Sequence, residues 1–166
     1  FLDDHEQSAR FAGGLGHIGI QVLRALTPAE LIVVDRNPDA LKLALSIGAD
    51  HGVVSDGTHV EQVQELTLGL GGEVLVDFVG EGGATKENVQ MLRQAGDYHV
   101  VGYGENIDIP TIDLVSAEIA VIGNLVGSYT DLCDLMALAA RGQVRLHTVK
   151  YPLEDFQDAL DDLEAG

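Results

Sequence analysis

The chain has 166 residues, of which 46% are hydrophobic, so it is long enough for one domain with a packed core. It carries 27 acidic residues against nine Lys and Arg, and the resulting formal charge of −18 argues against binding to nucleic acid. No apolar run approaches the ~20 residues of a membrane-spanning helix and no signal-peptide pattern is found, so we expect a cytoplasmic protein.

The first eleven residues are unusual for an α/β protein. In a doubly wound sheet, the first glycine-rich turn follows a buried strand that is rich in Val and Ile. Here the residues before the turn are mostly polar, and only Phe11 and Ala12 can continue a strand. We therefore treat residues 1–11 as an atypical segment and predict that the first strand is short or missing.

A glycine-dense turn follows at residues 13–16 and leads into a helical pattern that we expect to end near Leu26, before Thr27 and Pro28. The apolar run Leu31–Val34 then predicts a strand buried on both faces, and it ends at Asp35. This is the arrangement that a dinucleotide needs. Glycines let the backbone approach the pyrophosphate, the helix N-terminus offers N–H groups, and the acid accepts hydrogen bonds from the ribose hydroxyls.

The rest of the chain alternates between strands and helices, which predicts an α/β fold with a doubly wound, mostly parallel sheet covered on both faces. Glycine turns recur at 80–83 and 102–104, where predicted strands end, and ligands bind at such carboxyl ends. We expect further helices from Pro38 to Ile47 and around residues 60–66, 84–92, 131–141 and 153–163, and strands at residues 52–54, 74–79, 98–101 and 119–123.

Two acids lie at predicted strand ends. Asp35 is expected to bind the adenosine ribose and to repel a 2′-phosphate, which favours NAD over NADP. Arg36 works against that preference, because an arginine beside the acid can accept a phosphate. Asp77 follows the fourth strand, and the sequence leaves open whether it contacts a ligand or caps the next loop.

Residues suited to catalysis are few. The histidines at 17, 51, 59, 99 and 147 form no metal-ligand pair, and His17 either touches phosphate or packs at the helix start. Cys133, the single cysteine, lies in an apolar helical pattern and is expected to be buried. Tyr98 and Tyr103 are expected to pack or to line the cofactor. We expect a chain that holds a cofactor and does not itself perform the reaction.

The stretch Gly13–Gln21 closely resembles the cofactor-binding turn of the zinc-dependent, medium-chain alcohol dehydrogenases. Further matches follow in order and spacing along nearly all of residues 12–166. They are Val33–Asp35, Gly48–Asp50, Val76–Gly80, Val100–Gly102 and Asn124–Gly127.

The resemblance implies a Rossmann domain that binds NAD, in a parent oxidoreductase that interconverts alcohols with aldehydes or ketones. By position it implies a pyrophosphate turn, a ribose acid and segments that line the ribose and nicotinamide. Arg36 joins these residues because it lies beside the ribose acid. The candidate cofactor-binding residues are therefore Gly13, Gly14, Leu15, Gly16, His17, Ile18, Asp35, Arg36, Val79, Val101, Gly102, Tyr103, Asn124, Leu125 and Val126.

The sequence departs from the family pattern in three ways. The glycine fingerprint of the family begins where this chain has Phe11, and the strand before it is not recognisable. The catalytic domain that precedes this one in the family, with its Cys and His zinc ligands, is not found, nor is the last strand. We expect residues 12–166 to form a C-terminally truncated NAD(P)-binding domain that binds no zinc and lacks dehydrogenase activity alone, because zinc stabilises the developing alkoxide.

Alternatives to a dehydrogenase domain stay open. The chain is otherwise a non-catalytic NAD-binding or dimerising module. The family resemblance also implies a homo-oligomer, formed through an edge strand near Ile119–Ile122. A quinone reductase of the same superfamily is less favoured, because such enzymes usually take NADP. A methyltransferase also places a glycine turn before an acid-ended strand, but the strand at 119–123 and its continuation argue against it.

Overall fold

The computed structural model describes residues 6–10 and 14–165. The strands are β1 Glu6–Arg10, β2 Glu30–Asp35, β3 His51–Val54, β4 Gly72–Asp77, β5 Leu92–Val100 and β6 Ala120–Gly123. The helices are α1 Gly16–Leu26, α2 Pro38–Ile47, α3 His59–Leu66, α4 Ala84–Gln90, α5 Thr111–Ala117, α6 Tyr129–Ala140 and α7 Phe156–Ala165, with a 3₁₀ turn at Leu153–Asp155. The strands form one sheet in the order β3-β2-β1-β4-β5-β6, and every pairing is parallel. This order confirms the predicted doubly wound α/β fold.

The first strand is present, and it lies at the centre of the sheet. β1 has five residues and pairs with β2 from Glu6 opposite Glu30 to Arg10 opposite Val34, while its other edge pairs with β4. The prediction of a short strand is therefore confirmed, and the alternative that the strand is missing is wrong. Its polar sequence hid it, because a parallel ladder is made by backbone groups and does not itself require Val or Ile.

β2 supports a core on each face of the sheet. Five of its six residues are buried, as the sequence predicts, and successive side chains point to opposite faces. Leu31 and Val33 pack with residues of α1 and α2, whereas Ile32 and Val34 join the cluster that includes Leu75. The two faces together hold β2 firmly, which fixes the position of Asp35 at its carboxyl end.

Local signals explain several boundaries. Asn37 caps α2 by accepting a hydrogen bond from the backbone of Asp39 at 2.9 Å, and Pro38 occupies the first turn. α4 stops at Gln90 and β5 already begins at Leu92, so the predicted helix over residues 84–92 is too long and the strand predicted at 98–101 is too short. α5 was not anticipated from its short, partly polar sequence.

The carboxyl-terminal helices are sparsely packed. Leu138 is the buried residue of α6, and Cys133 on the same helix is exposed, so the expectation of a buried cysteine is wrong. The reason is that α6 meets the rest of the fold mainly at α1, which leaves most of its apolar side chains uncovered. No helix among the described residues has the length and apolarity required to cross a membrane.

Candidate functional site

The candidate residues converge on one edge of the sheet. Because all strands are parallel, the segments that follow β2, β4, β5 and β6 leave the sheet on the same side, where α1 also begins. The candidate residues at this carboxyl edge are Gly14 to Ile18, Asp35, Arg36, Val79, Val101 to Tyr103 and Asn124 to Val126. Gly13 and Phe11 lie outside the described residues.

The N-terminus of α1 opens onto this edge. The carbonyl oxygen of Leu15 accepts hydrogen bonds from the backbone of Ile18 at 3.2 Å and Gly19 at 3.0 Å, which starts the helix at Gly16. No atom lies within 4 Å of the position that a Cβ on Gly14 would take, among the residues described. The turn therefore presents backbone and open space to a ligand, and the helix dipole adds a partial positive charge.

The N-terminal half of α1 is also anchored to the segment after α6. The Gln21 side chain donates to the backbone oxygen of Arg145 at 3.0 Å and accepts from its N–H at 2.9 Å. The ring of His17 is buried and meets the ring of His147 edge-on, with 5.9 Å between the centroids. His17 thus packs at the helix start, one of the two roles that the sequence left open.

Asp35 is held in place by its own loop. Its side chain is 2% exposed, and Oδ1 accepts a hydrogen bond from the backbone of Asn37 at 2.8 Å. Because Asn37 in turn caps α2, the bend from β2 into α2 is fixed by two successive side-chain contacts. A buried carboxyl group is costly unless it is hydrogen-bonded, and the bond from Asn37 offsets part of that cost at the tip of the strand.

Asp77 is the centre of a buried hydrogen-bond network and is completely inaccessible to solvent. One carboxylate oxygen accepts from the backbone of Val79 at 2.8 Å and of Gly80 at 3.1 Å. The other accepts from the Tyr98 hydroxyl at 2.7 Å and from the Asn88 amide at 2.8 Å. Asp77 therefore caps the loop after β4, which decides between the two roles that the sequence left open, and Tyr98 packs inside.

The segments expected beside the nicotinamide differ in exposure and in how they are held. The backbone N–H groups of Val101 and Gly102 both donate to the Asp77 carbonyl at 2.9 Å, whereas the Tyr103 side chain is 92% exposed. Leu125 and Val126 are 89% and 92% exposed, and Val126 has a φ of 44°. A left-handed valine is rare, so the backbone of this turn after β6 is strained.

Sequence reasoning missed one residue of this edge. Glu105, in the loop after β5, accepts hydrogen bonds from the backbone of Gly83 at 2.8 Å and of Thr85 at 3.1 Å, and from the Thr85 hydroxyl at 2.8 Å. It thereby ties its loop to the start of α4. No periodicity or motif marks an acid in an irregular loop, so the sequence held no signal for it.

Two other features do not belong to this site. A groove of about 530 Å³ lies between α2, β3 and α3 at the far edge of the sheet, lined by residues such as Leu45, Gly52 and Glu65. It lies at the β3 edge of the sheet, away from the glycine turns, so we assign the site from the strand ends and not from this groove. Within residues 6–10 and 14–165, no three His, Cys, Asp or Glu side chains are grouped to hold a metal ion.

Comparison with known proteins identifies relatives along almost the whole chain. The family model of the zinc-binding dehydrogenases matches residues 14–141. The chain is 35% identical to an NAD-dependent alcohol dehydrogenase of Sulfolobus acidocaldarius over 93% of its own length and 45% of that protein. It is 32% identical to a D-arabinose 1-dehydrogenase (NADP(+)) of Saccharolobus solfataricus, over 93% of this chain and 44% of that one.

Solved structures agree with this result. The alcohol dehydrogenase of the archaeon Aeropyrum pernix superposes with a TM-score of 0.92 and 40% identity, over 96% of this chain and 47% of that chain. The D-arabinose dehydrogenase of Sulfolobus solfataricus superposes with a TM-score of 0.82 and is 28% identical in sequence. The chain thus spans about half the length of the relatives it matches, and it corresponds to their Rossmann-type cofactor-binding domain.

Proposed function

Because the chain belongs to the zinc-binding dehydrogenase family, we propose that it binds NAD along the carboxyl edge of its sheet. In this proposal it serves as the cofactor-binding domain of an alcohol dehydrogenase. The observation that carries the proposal is the position of Asp35, a buried acid at the end of β2 on the same edge as the turn that opens α1. A pyrophosphate at that turn and a ribose at that acid are the two contacts that fix a dinucleotide.

The residues present fit such a cofactor at both ends. Gly14 leaves open space beside the helix N-terminus, so a phosphate can approach the backbone closely. Asp35 accepts hydrogen bonds from the ribose hydroxyls, and its charge opposes a 2′-phosphate. At the other end, Val79, Gly102 and the Asn124–Val126 turn line the nicotinamide side, and the bonds from Asp77 to the loop after β4 keep that side rigid.

The chemistry that NAD supplies when bound is acceptance of a hydride from an alcohol carbon. What this chain contributes is binding and orientation, since the described residues contain no metal-ligand group to stabilise an alkoxide. We therefore propose that alcohol oxidation requires the complete dehydrogenase and that the 166-residue chain alone turns over no alcohol.

NAD is the proposed cofactor rather than NADP. Asp35 supports this preference, whereas Arg36 weakens it, and the relatives include proteins named for each cofactor. Calorimetric titration with NADH and NADPH tests the proposal directly, with circular dichroism to show that the chain is folded. We expect NADH to bind more tightly than NADPH. Asp35→Ala should reduce the difference between the two affinities. A folded chain that binds neither nucleotide would refute the proposal.

A dimerising role has separate support. β6 is the edge strand of the sheet, and its four residues, which include Val121 and Ile122, are all exposed. An edge strand without a covering element can pair with a second copy of itself. We propose that β6 forms such a contact. Analytical ultracentrifugation should then show a dimer that Val121→Lys dissociates, and a monomeric wild type would count against it.

A further inference from the structure

One peptide group connects two loops of the proposed cofactor site. The carbonyl oxygen of Gly82 accepts a hydrogen bond from the guanidinium of Arg36 at 3.4 Å. The N–H of Gly83 donates to the carboxylate of Glu105 at 2.8 Å. That oxygen and that N–H belong to the same planar peptide unit, so Arg36 and Glu105 bind its opposite ends.

The peptide is presented by a backbone that glycine permits. Gly82 and Gly83 have φ values of 68° and 83°, a region that residues with a side chain rarely adopt. A Cβ on Gly82 would lie 2.9 Å from a terminal nitrogen of Arg36. The two glycines therefore turn the peptide so that one loop can reach its oxygen and another can reach its N–H.

The two partners come from different ends of the site. Arg36 follows Asp35 and stands beside the adenosine ribose of the proposed cofactor. Glu105 lies in the loop after β5, which also carries Gly102 and Tyr103 on the nicotinamide side. This loop is fixed further by the backbone N–H of Glu105, which donates to the Gly80 oxygen at 2.9 Å.

A carboxylate that accepts from a peptide N–H polarises the peptide and makes its carbonyl oxygen a better acceptor. Glu105 therefore strengthens the contact between Gly82 and Arg36. An arginine held on Gly82 is less free to turn toward a phosphate on the ribose 2′-oxygen. Conversely, Arg36 stabilises the peptide orientation that Glu105 needs.

We propose that Glu105 is a positioning residue that also determines cofactor specificity. Acting through the Gly82–Gly83 peptide, it holds Arg36 away from the 2′-position and keeps the loop after β5 in place. Discrimination between NAD and NADP is thereby coupled to the position of the loop after β5 on the nicotinamide side. The specificity part of this proposal rests on the proposed binding of NAD, whereas the coupling between the loops does not.

Hydrogen exchange on the 166-residue chain without nucleotide tests the coupling. Glu105→Gln should speed amide exchange in segments 79–85 and 102–106, and Arg36→Ala should also speed it in 102–106, although Arg36 belongs to another loop. The double variant should be no faster than the faster single variant, because both act on one peptide. Glu61→Gln, which removes the same charge from an exposed site on α3, is the matched control and should change neither segment.

Additive effects in the double variant, or an Arg36→Ala effect confined to the loop after β2, would overturn the coupling. Titration of the same variants with NADH and NADPH tests specificity. Glu105→Gln should shift the affinity ratio toward NADPH by roughly threefold, the loss of charge assistance in one exposed hydrogen bond. An unchanged ratio overturns the specificity role alone. A wild-type chain that binds neither nucleotide overturns the proposed function and this role together, and the exchange result then stands separately.

Discussion

Gly80 and Gly102 touch backbone to backbone across the ends of β4 and β5. A Cβ on Gly80 would lie 2.4 Å from the carbonyl oxygen of Gly102, and a Cβ on Gly102 would lie 2.3 Å from the carbonyl carbon of Val79. Both distances are far below van der Waals contact, and the neighbouring atoms are backbone atoms that cannot rotate away. The close approach of the two loops at the carboxyl edge of the sheet therefore requires glycine on both sides.

Gly102→Ala should separate these loops. We expect a loss of about 1–3 kcal/mol in the free energy of unfolding, because the added methyl overpacks a rigid contact. Urea unfolding followed by circular dichroism measures it. The control is Gly123→Ala, at the end of β6, where no described atom lies within 4 Å of the new Cβ. Equal stability of the two variants would contradict the backbone contact.

Tyr98→Phe removes one of the donors to Asp77 and leaves a buried carboxylate oxygen less satisfied. We expect a loss of about 1–3 kcal/mol of stability, the usual cost of an unpaired buried polar group. Tyr129→Phe, which deletes an exposed hydroxyl, should have no measurable effect. If both variants unfold at the same urea concentration as the wild type, the Tyr98 hydroxyl does not support Asp77.

Asp131 makes the N-terminus of α6 sensitive to acid. Hydrogen bonds from the backbone N–H and the hydroxyl of Ser128 hold the pKa of Asp131 below its ordinary value of 3.8. A carboxyl whose pKa is lowered by folding stabilises the folded chain above its unfolded pKa, and this contribution is lost as the pH falls through the folded value.

Asp131→Asn isolates that contribution because it cannot titrate. The difference in unfolding free energy between wild type and variant should be constant near neutral pH and should shrink as the pH falls below about 4. Urea unfolding at a series of pH values measures the difference directly. A difference that is independent of pH down to the acid transition would show that the Ser128 contacts do not act on the carboxylate.

Cys133 should react as an accessible thiol. Since it is exposed on α6, a chromogenic disulfide reagent is expected to modify it fully in the native chain, at a rate close to that in denaturant. Absorbance records the reaction, and Cys133→Ser supplies the blank. Strong protection of the native thiol would mean that the apolar face of α6 is covered in solution.

The sequence predicted the architecture well because most elements carry local signals. The apolar run at Leu31–Val34, the Asn37 cap with Pro38, and the glycine turns each specify structure within a few residues. Local reasoning also placed Asp35 correctly at the carboxyl end of β2, since a strand end is a local feature. It was less successful where residues distant in the sequence determine whether a segment forms a strand or whether a side chain is buried.

β1 and Cys133 show where local reasoning fails, in opposite directions. The polar segment Glu6–Arg10 becomes a strand because β2 and β4 offer backbone partners on both sides. Cys133 lies in an apolar pattern, yet it is exposed because no other element among the described residues covers it. In the same way, the partners of Glu105 come from Gly83 and Thr85 at the start of α4, so no motif in its own segment marks it.

The position of β1 has a consequence for the order of folding. Its pairing with β2 links segments close in the sequence, whereas its pairing of Gln7 with Val74 closes a much longer loop. Pairings across long loops form late, because the closure entropy is lost before the contact compensates for it. The edge that faces the proposed cofactor is completed only when β4 docks on β1. A ligand bound there should therefore slow unfolding while leaving the folding rate almost unchanged.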